Sequence, residues 1–456
     1  MASLTGADAE LIVRRMQQTD EVLAKPGLQR AAANLGWLFA ERGVRLALSV
    51  GVGFLVARHL GPGRLGVLSY CLALTTLASA IGSLGLDAIV KRDLLLTPER
   101  TAEILASGAV LRFAAGAALA LLTLGFVLAG AHGSGMERRL LAVLAVTLLQ
   151  PAFLVPELWL QARLLAKYSV WSQTGALVVS AALRVVLIAM DAPLAAFAAT
   201  VVVEMALAAM GFHLLARRAG LRFRWSAARR TEMRRLLGEA WPLVFAGVAV
   251  MVYMKIDEVM LRHLVGPEAV GIYSAATRLT EIWFFVPTAL ASSVLPALLR
   301  ARDRGEAAYR ERLQQYFDLS AAAAYALSVP MALAAPWIVR LAYGAEFAAV
   351  GPILAVHVWS SVFVFLGVAR GQWLVNEGLQ KFYLAATSAG AVANIALNLV
   401  FIPQWGGLGA AWATVVSYAL AAWLASYFHR DVRGTAAMQT RALLIPMLGW
   451  RYLRRA

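Results

Sequence analysis

Arg58-His59-Leu60-Gly61-Pro62-Gly63-Arg64-Leu65-Gly66-Val67-Leu68-Ser69 has a counterpart far downstream: Arg262-His263-Leu264-Val265-Gly266-Pro267-Glu268-Ala269-Val270-Gly271-Ile272-Tyr273-Ser274. Both contain Gly-Pro-x3-Gly-x2-Ser, displaced by 205 positions, and both follow an Arg-His-Leu. Gly-Pro alone marks any turn. A second match in the same order gives it weight: Trp159-Leu160-x4-Leu165-x-Lys167-Tyr168 corresponds to Trp373-Leu374-x4-Leu379-x-Lys381-Phe382. Self-similarity at two places, each in the equivalent apolar segment, predicts a chain built from two similar halves.

The sequence around these motifs is that of a membrane protein. Of 456 residues, 61% are hydrophobic and 15% charged, against roughly 45–50% and about 25% in soluble domains. Twelve mostly apolar windows of membrane-spanning length follow one another: 34–57, 65–90, 103–129, 139–165, 168–190, 194–216, 238–263, 271–299, 318–342, 348–371, 380–403 and 407–428. The expected fold is an all-α polytopic membrane protein with about 12 transmembrane helices in two pseudo-symmetric six-helix bundles. The expected divisions are a polar N-terminal segment 1–33, a first bundle 34–216, a basic linker 217–237, a second bundle 238–428 and a basic tail 429–456. Six spans per half give both halves the same orientation, and two facing bundles would enclose a cleft suited to alternating access.

The net charge of +16 would suggest nucleic acid in a soluble protein. Here Lys and Arg concentrate in the segments that would share one side, with eight arginines between 217 and 237, so they read as an orientation signal touching anionic headgroups, and both termini are expected in the cytoplasm. Residues 1–33 carry no cleavable signal pattern, which leaves the first span as the expected insertion signal. Within the tail, the apolar stretch 442–450 is too short to span and is expected to lie on the inner surface. Trp159, Trp171, Trp337, Trp405 and Tyr427 near span ends read as interface anchors.

Several classes are excluded. Cys71 is the sole cysteine, so disulfide scaffolds and clustered-cysteine metal sites do not apply. No loop is long enough for an aqueous catalytic domain, and no filter-like sequence suggests a channel. A transporter without cofactors, rather than an enzyme, is the expected class.

Ionisable residues at membrane depth are costly and mark cavities or pairs. They are Glu41, Arg42 and Arg45 in span one, Arg112 in span three, Glu157 in span four, Arg184 in span five, Glu204 in span six, Lys255, Asp257 and Glu258 in span seven, and Arg278 and Glu281 in span eight. Glu41 can pair with Arg45, Arg278 with Glu281 and Glu258 with Arg262 by helical spacing. Arg112 and Arg184 have no acidic residue within reach on their own helices. Asp257 and Glu204 are candidate carboxylates for a coupling ion.

The run Trp241-Pro242-Leu243, Tyr253-Met254-Lys255-Ile256-Asp257, Gly271-Ile272-Tyr273-Ser274-Ala275-Ala276 and Val286-Pro287 resembles the oligosaccharide-lipid flippases of bacterial O-antigen and exopolysaccharide synthesis. Ser83-Leu84-Gly85-Leu86-Asp87 with Lys91-Arg92-Asp93, and Asn34-Leu35-Gly36-Trp37-Leu38, are similar to the same family. The resemblance covers about 34–428. It implies the fold of the multidrug and toxic compound extruders and of the lipid II flippase, although the latter has two further helices. It implies transport of an undecaprenyl-pyrophosphate-linked oligosaccharide from the inner to the outer leaflet of the bacterial inner membrane by alternating access, coupled to a proton or sodium gradient. Polysaccharide polymerase, chain-length regulator and membrane lipids are the implied partners; nucleic acid is not. Cavity arginines in spans one and eight are a feature of that superfamily's lipid-pyrophosphate carriers, which points to Arg42, Arg45 and Arg278; with Arg112, Arg184 and Lys255 they form the expected pyrophosphate-binding set. The rival is a cation-coupled multidrug exporter of the same fold, which would want acidic residues to dominate its cavity.

Overall fold

The computed structural model describes residues 27–130, 133–163 and 165–446, with side chains described from Ala47 onward except at Ala166 and Pro296. The chain divides into two compact units between Gly51 and Val52. In the first, the described residues are helical. Arg42 and Arg45 belong to that unit, and their side chains lie outside the described residues, as does Glu41. The second unit is helical, and no strand occurs among the described residues.

In chain order the helices are α1 (Gly27–Gly82), α2 (Leu86–Leu96), α3 (Thr101–Leu128), α4 (Gly135–Leu144), α5 (Gln150–Phe153), α6 (Val155–Ala162), α7 (Ala166–Ala189), α8 (Leu194–Arg218), α9 (Arg230–Leu264), α10 (Pro267–Glu281), α11 (Phe285–Arg302), α12 (Glu306–Ala342), α13 (Val350–His357), α14 (Ser360–Asn376), α15 (Gln380–Ala422) and α16 (Arg433–Leu443). Among the described residues, nine helical stretches are long and apolar enough to cross a membrane. Two of the nine run through a single non-helical glycine, Gly61 in α1 and Gly406 in α15, each of which separates two windows of the sequence reading. The eighth window is interrupted by a 3₁₀ turn, Ile282–Phe284, between α10 and α11. Nine long stretches and about twelve apolar windows are therefore compatible.

The Gly-Pro repeat has a structural basis. Gly61 adopts φ 71°, ψ 169° and Gly266 φ 137°, ψ 176°, a region essentially restricted to glycine. The proline after each one starts a helical segment, where its fixed φ fits and its missing N–H is not needed. The later glycines of the motif pack on the opposite copy. A Cβ on Gly66 would lie 1.7 Å from the Pro267 carbonyl oxygen, and one on Gly271 would lie 1.9 Å from that of Pro62. The two serines that end the motifs meet as well, Ser69 Oγ to Ser274 Oγ at 2.9 Å. Equivalent residues contacting each other in this reciprocal way place a local pseudo-two-fold axis through the motif, with backbones as close as small-residue crossings permit.

The second repeat is conserved in conformation. Leu165 (φ −91°, ψ 43°) and Leu379 (φ −94°, ψ 34°) occupy the same backbone region. Each donates its N–H back five residues, to Leu160 at 2.9 Å and to Leu374 at 2.8 Å. Trp159, expected as an interface anchor, is instead buried in an apolar core drawn from residues 86–240, and its repeat counterpart Trp373 is buried in a second core drawn from 291–442. Ring area of that size is worth more inside a core than at a headgroup boundary. Trp171 and Trp337 are exposed.

α9 links the first core to α15. Its first turns put Leu236 and Ala240 into the first core, while its remainder packs chiefly on α15. Ion pairs fix this start: Arg235 bonds Asp93 at 2.5 Å, Glu239 at 2.7 Å and also Glu232, Arg92 reaches Glu239 at 2.6 Å, and Arg100 reaches Glu232 at 2.7 Å. Burial opposes charge on Arg92, but Glu239 and Asp93 outweigh it and hold the guanidinium above its ordinary range. Arg235 is thus a packing element, unlike the headgroup contact expected of its stretch. In the tail, the helix forms at Arg433–Leu443 and is built into the second core, with Gln439 donating to the Ala422 carbonyl at 2.9 Å; residues 447–450 of the expected surface helix lie outside the described residues.

Candidate functional site

Three polar networks lie in the apolar helices, one in the first half and two in the second. At the first, α7 supplies Arg184 and α8 supplies Glu204 and Thr200. Arg184 donates to Glu204 at 2.9 Å and to Thr200 Oγ1 at 3.0 Å. From the second half, α9 supplies Lys255, which reaches Glu258 at 3.1 Å and Glu281 of α10 at 3.2 Å. Arg278, one turn before Glu281, is half-buried and makes no ion pair or side-chain hydrogen bond among the described residues. Its charge nevertheless reaches Arg184 of the first half and Glu258 of its own half.

Two pairings expected from helical spacing are therefore replaced, while the third, Glu41 with Arg45, lies outside the described side chains. Glu281 takes Lys255 rather than Arg278, and Glu258 takes Lys255 rather than Arg262. Arg262 instead bonds Glu137 in the first half at 2.5 Å. Glu137 also closes a capping box with Ser134 at the start of α4. Glu281 and Arg262 take partners on neighbouring helices, because an intrahelical pair is worth only about 0.2–0.5 kcal/mol, and Glu258 exchanges one partner on its own helix for another, Lys255 three residues earlier.

Arg112 is not brought into these networks. Its side chain is 3% exposed and bonds Asp87 at 2.7 Å, with the carbonyls of Ser83 at 3.1 Å and Pro151 at 3.4 Å. That geometry ties α3 to the start of α2 and to α5. Glu157 accepts from Gln161 at 3.1 Å and Gln173 at 2.9 Å.

Asp257 faces away from Lys255, two positions earlier on the same helix, and is buried wholly within the second half. It accepts from Tyr273 Oη at 2.6 Å, Thr414 Oγ1 at 2.7 Å and Asn398 Nδ2 at 2.5 Å. Asn398 Nδ2 also donates to Asn394 Oδ1 at 3.1 Å, while Asn398 Oδ1 is buried without a hydrogen-bond partner. A carboxylate held by neutral donors, beside a spare amide oxygen and a hydroxyl, is a hard-oxygen set that suits a proton or an alkali cation. Among the described residues no group of three His, Cys, Asp or Glu could hold a metal ion.

Sequence reasoning missed Tyr273, Asn394, Asn398 and Thr414, because neutral polar residues in apolar helices give no charge signal. It also passed over Arg370 of α14. This arginine is 2% exposed, donates to Ser426 at 2.8 Å and lies 5.7 Å from the Phe382 ring, with Nε unpartnered.

A family model described as polysaccharide biosynthesis protein matches residues 31–302, and one described as MatE matches 242–400. The chain belongs to the polysaccharide biosynthesis protein family. As a member of that family it is 32% identical over 187 residues to a probable flippase, AglR, of Haloferax volcanii; the match covers 38% of this chain and 37% of AglR. Its fold is that of an inward-facing multidrug resistance MATE family transporter of the MOP superfamily (TM-score 0.68, 14% identity, 88% of this chain and 96% of that one). It is equally that of the lipid II flippase MurJ in an inward closed conformation (TM-score 0.68, 13% identity, 91% of each chain). The family member is accordingly an all-α, multi-pass membrane protein of the MATE and MurJ fold.

Proposed function

We propose that the protein carries an undecaprenyl-pyrophosphate-linked oligosaccharide repeat unit from the inner to the outer leaflet of a bacterial inner membrane, for O-antigen or exopolysaccharide synthesis. The observation that carries this reading is Arg278: a half-buried guanidinium on a membrane-spanning segment, without an ion-pair partner among the described residues. Arg184 is paired with Glu204 and held by Thr200, so the unmatched charge is that of Arg278, and a pyrophosphate would bring several acceptor oxygens to its forked donors with Arg184 beside it. The sugars would occupy the polar space between the halves and the polyprenyl tail would stay in lipid. Arg42 and Arg45 complete the proposed set on sequence grounds. Arg112 drops out, since its donors are committed to Asp87 and two carbonyls, and Lys255 acts through the two carboxylates that it bridges. Membership of the family and the AglR match support the lipid-linked glycan as cargo.

Transport is proposed to be driven by a proton or sodium gradient acting at Asp257, whose ring of neutral donors leaves it the charge to gain or lose a cation. Glu204 is the weaker candidate, because Arg184 already neutralises it. The rival, a cation-coupled drug exporter, draws support from the excess of carboxylate around Lys255. The test is surface polysaccharide from cells carrying Arg184→Ala or Arg278→Ala, each beside its Lys counterpart, at equal protein level. Output falling in the alanine variants supports the flippase. Normal output in all four, with new dye sensitivity in the deletion strain, would transfer the protein to the exporters.

A further inference from the structure

A cavity of about 710 Å³ opens where α8 ends and the linker begins, against the start of α6. Its walls include Arg217, Arg222 and Arg224, with His213, Phe223 and Pro156. Among the described residues no carboxylate lines it. None of the three arginines makes an ion pair or side-chain hydrogen bond among the described residues, although Arg235 farther along the same basic stretch is bound to three carboxylates. The cavity therefore concentrates positive charge that no carboxylate among the described residues neutralises.

Its apolar side is equally specific. The Phe223 ring packs edge-on to His213 at 5.8 Å and to Trp225 at 5.5 Å, and Trp225 in turn meets Phe113 at 6.1 Å and Phe153 at 6.2 Å. Trp225, Phe113 and Leu214 expose apolar surface beside the basic wall. α8 is one of the helices long and apolar enough to span, and Arg217 and Arg218 are its last residues, so the cavity lies at the depth where headgroups meet acyl chains.

We infer that this cavity binds the phosphate of an anionic lipid headgroup, with Arg217, Arg222 and Arg224 on the phosphate and the exposed aromatic edge against the acyl chains. A soluble phosphate would use the guanidiniums but gain nothing from that edge. The site is separate from Arg184 and Arg278 and does not depend on what the protein transports.

The test uses the full chain in phosphatidylcholine vesicles with and without phosphatidylglycerol, followed by native mass spectrometry of the lipids that stay bound. Arg217→Gln/Arg222→Gln/Arg224→Gln is compared with Arg229→Gln/Arg230→Gln/Arg234→Gln, which removes the same charge from linker positions outside the cavity. Wild type and the second variant should retain phosphatidylglycerol. The first should lose it, and a factor of about five per guanidinium gives an affinity drop of about a hundredfold. Equal retention by all three proteins, or equal loss in both variants, would overturn the site. Displacement of the lipid by inorganic phosphate would overturn the lipid as its occupant.

Discussion

Arg278 and Asp257 lie on adjacent helices and present opposite problems. Among the described residues Arg278 is a cation short of a contact partner, whereas Asp257 is an anion supplied with three donors and no contact cation. Charge-assisted contacts are worth about 1.5–3 kcal/mol each, so Arg278→Ala should slow glycan translocation by roughly ten- to a hundredfold, and Arg278→Lys by less, because it keeps the charge but loses the fork. Transport of a fluorescent lipid-linked glycan into proteoliposomes checks both. At Asp257 the substitutions separate function from folding. Asp257→Asn keeps the volume and most of the hydrogen bonding, so it should retain thermal stability while losing dependence on the ion gradient. Asp257→Ala leaves one Asn398 N–H without an acceptor, at about 1–3 kcal/mol for a group left unsatisfied, and turns Thr414 to the Ala410 carbonyl and Tyr273 to Thr414, so it should lower the melting temperature as well. A gradient-dependent Asp257→Asn protein would remove Asp257 from coupling. The charged members of these networks were legible in the sequence. Their partners were not, because the choice of Glu281 between Arg278 and Lys255 is made by where α9 and α10 cross.

Among the elements, the Gly-Pro motif was the most informative in sequence and is the most consequential in structure. A displacement of 205 residues read from the chain reappears as the Ser69 to Ser274 hydrogen bond. A Cβ at Gly66 or Gly271 would strike a backbone carbonyl rather than a flexible side chain, so neither helix can yield without moving as a unit. Gly66→Ala or Gly271→Ala should therefore lower the melting temperature or prise the motif open, with accessibility of a cysteine introduced at Ser69 as the readout; unchanged stability and accessibility would contradict the packing. Alternating access requires the halves to part at one end in each cycle, and this crossing holds them together. In a Cys71→Ala background, Ser69→Cys with Ser274→Cys should form a disulfide that stops transport until it is reduced. Transport undiminished by complete cross-linking would show that the crossing does not open. Other elements escaped the sequence reading for local reasons. The helix at Arg433–Leu443 carries an unremarkable mixture of polar and apolar residues and gains its stability from the second core. α9 begins eight residues before its apolar window because Leu236 and Ala240 are buried against the first half.

For the molecule as a whole, apolar windows, duplicated motifs and the distribution of arginine sufficed for the fold class, since lipid leaves a chain few options beyond long helices. What the molecule does with its two halves depends on a few charges that the windows merely tolerate. The central claim is that a pyrophosphate-linked glycan passes between Arg184 and Arg278. Its most direct test is the leaflet location of undecaprenyl-pyrophosphate-linked oligosaccharide in a deletion strain expressing no protein, wild type or Arg278→Ala. Accumulation on the cytoplasmic face, relieved by wild type and not by Arg278→Ala at equal protein level, is the expected result. Oligosaccharide reaching the outer face equally well in all three strains would contradict it.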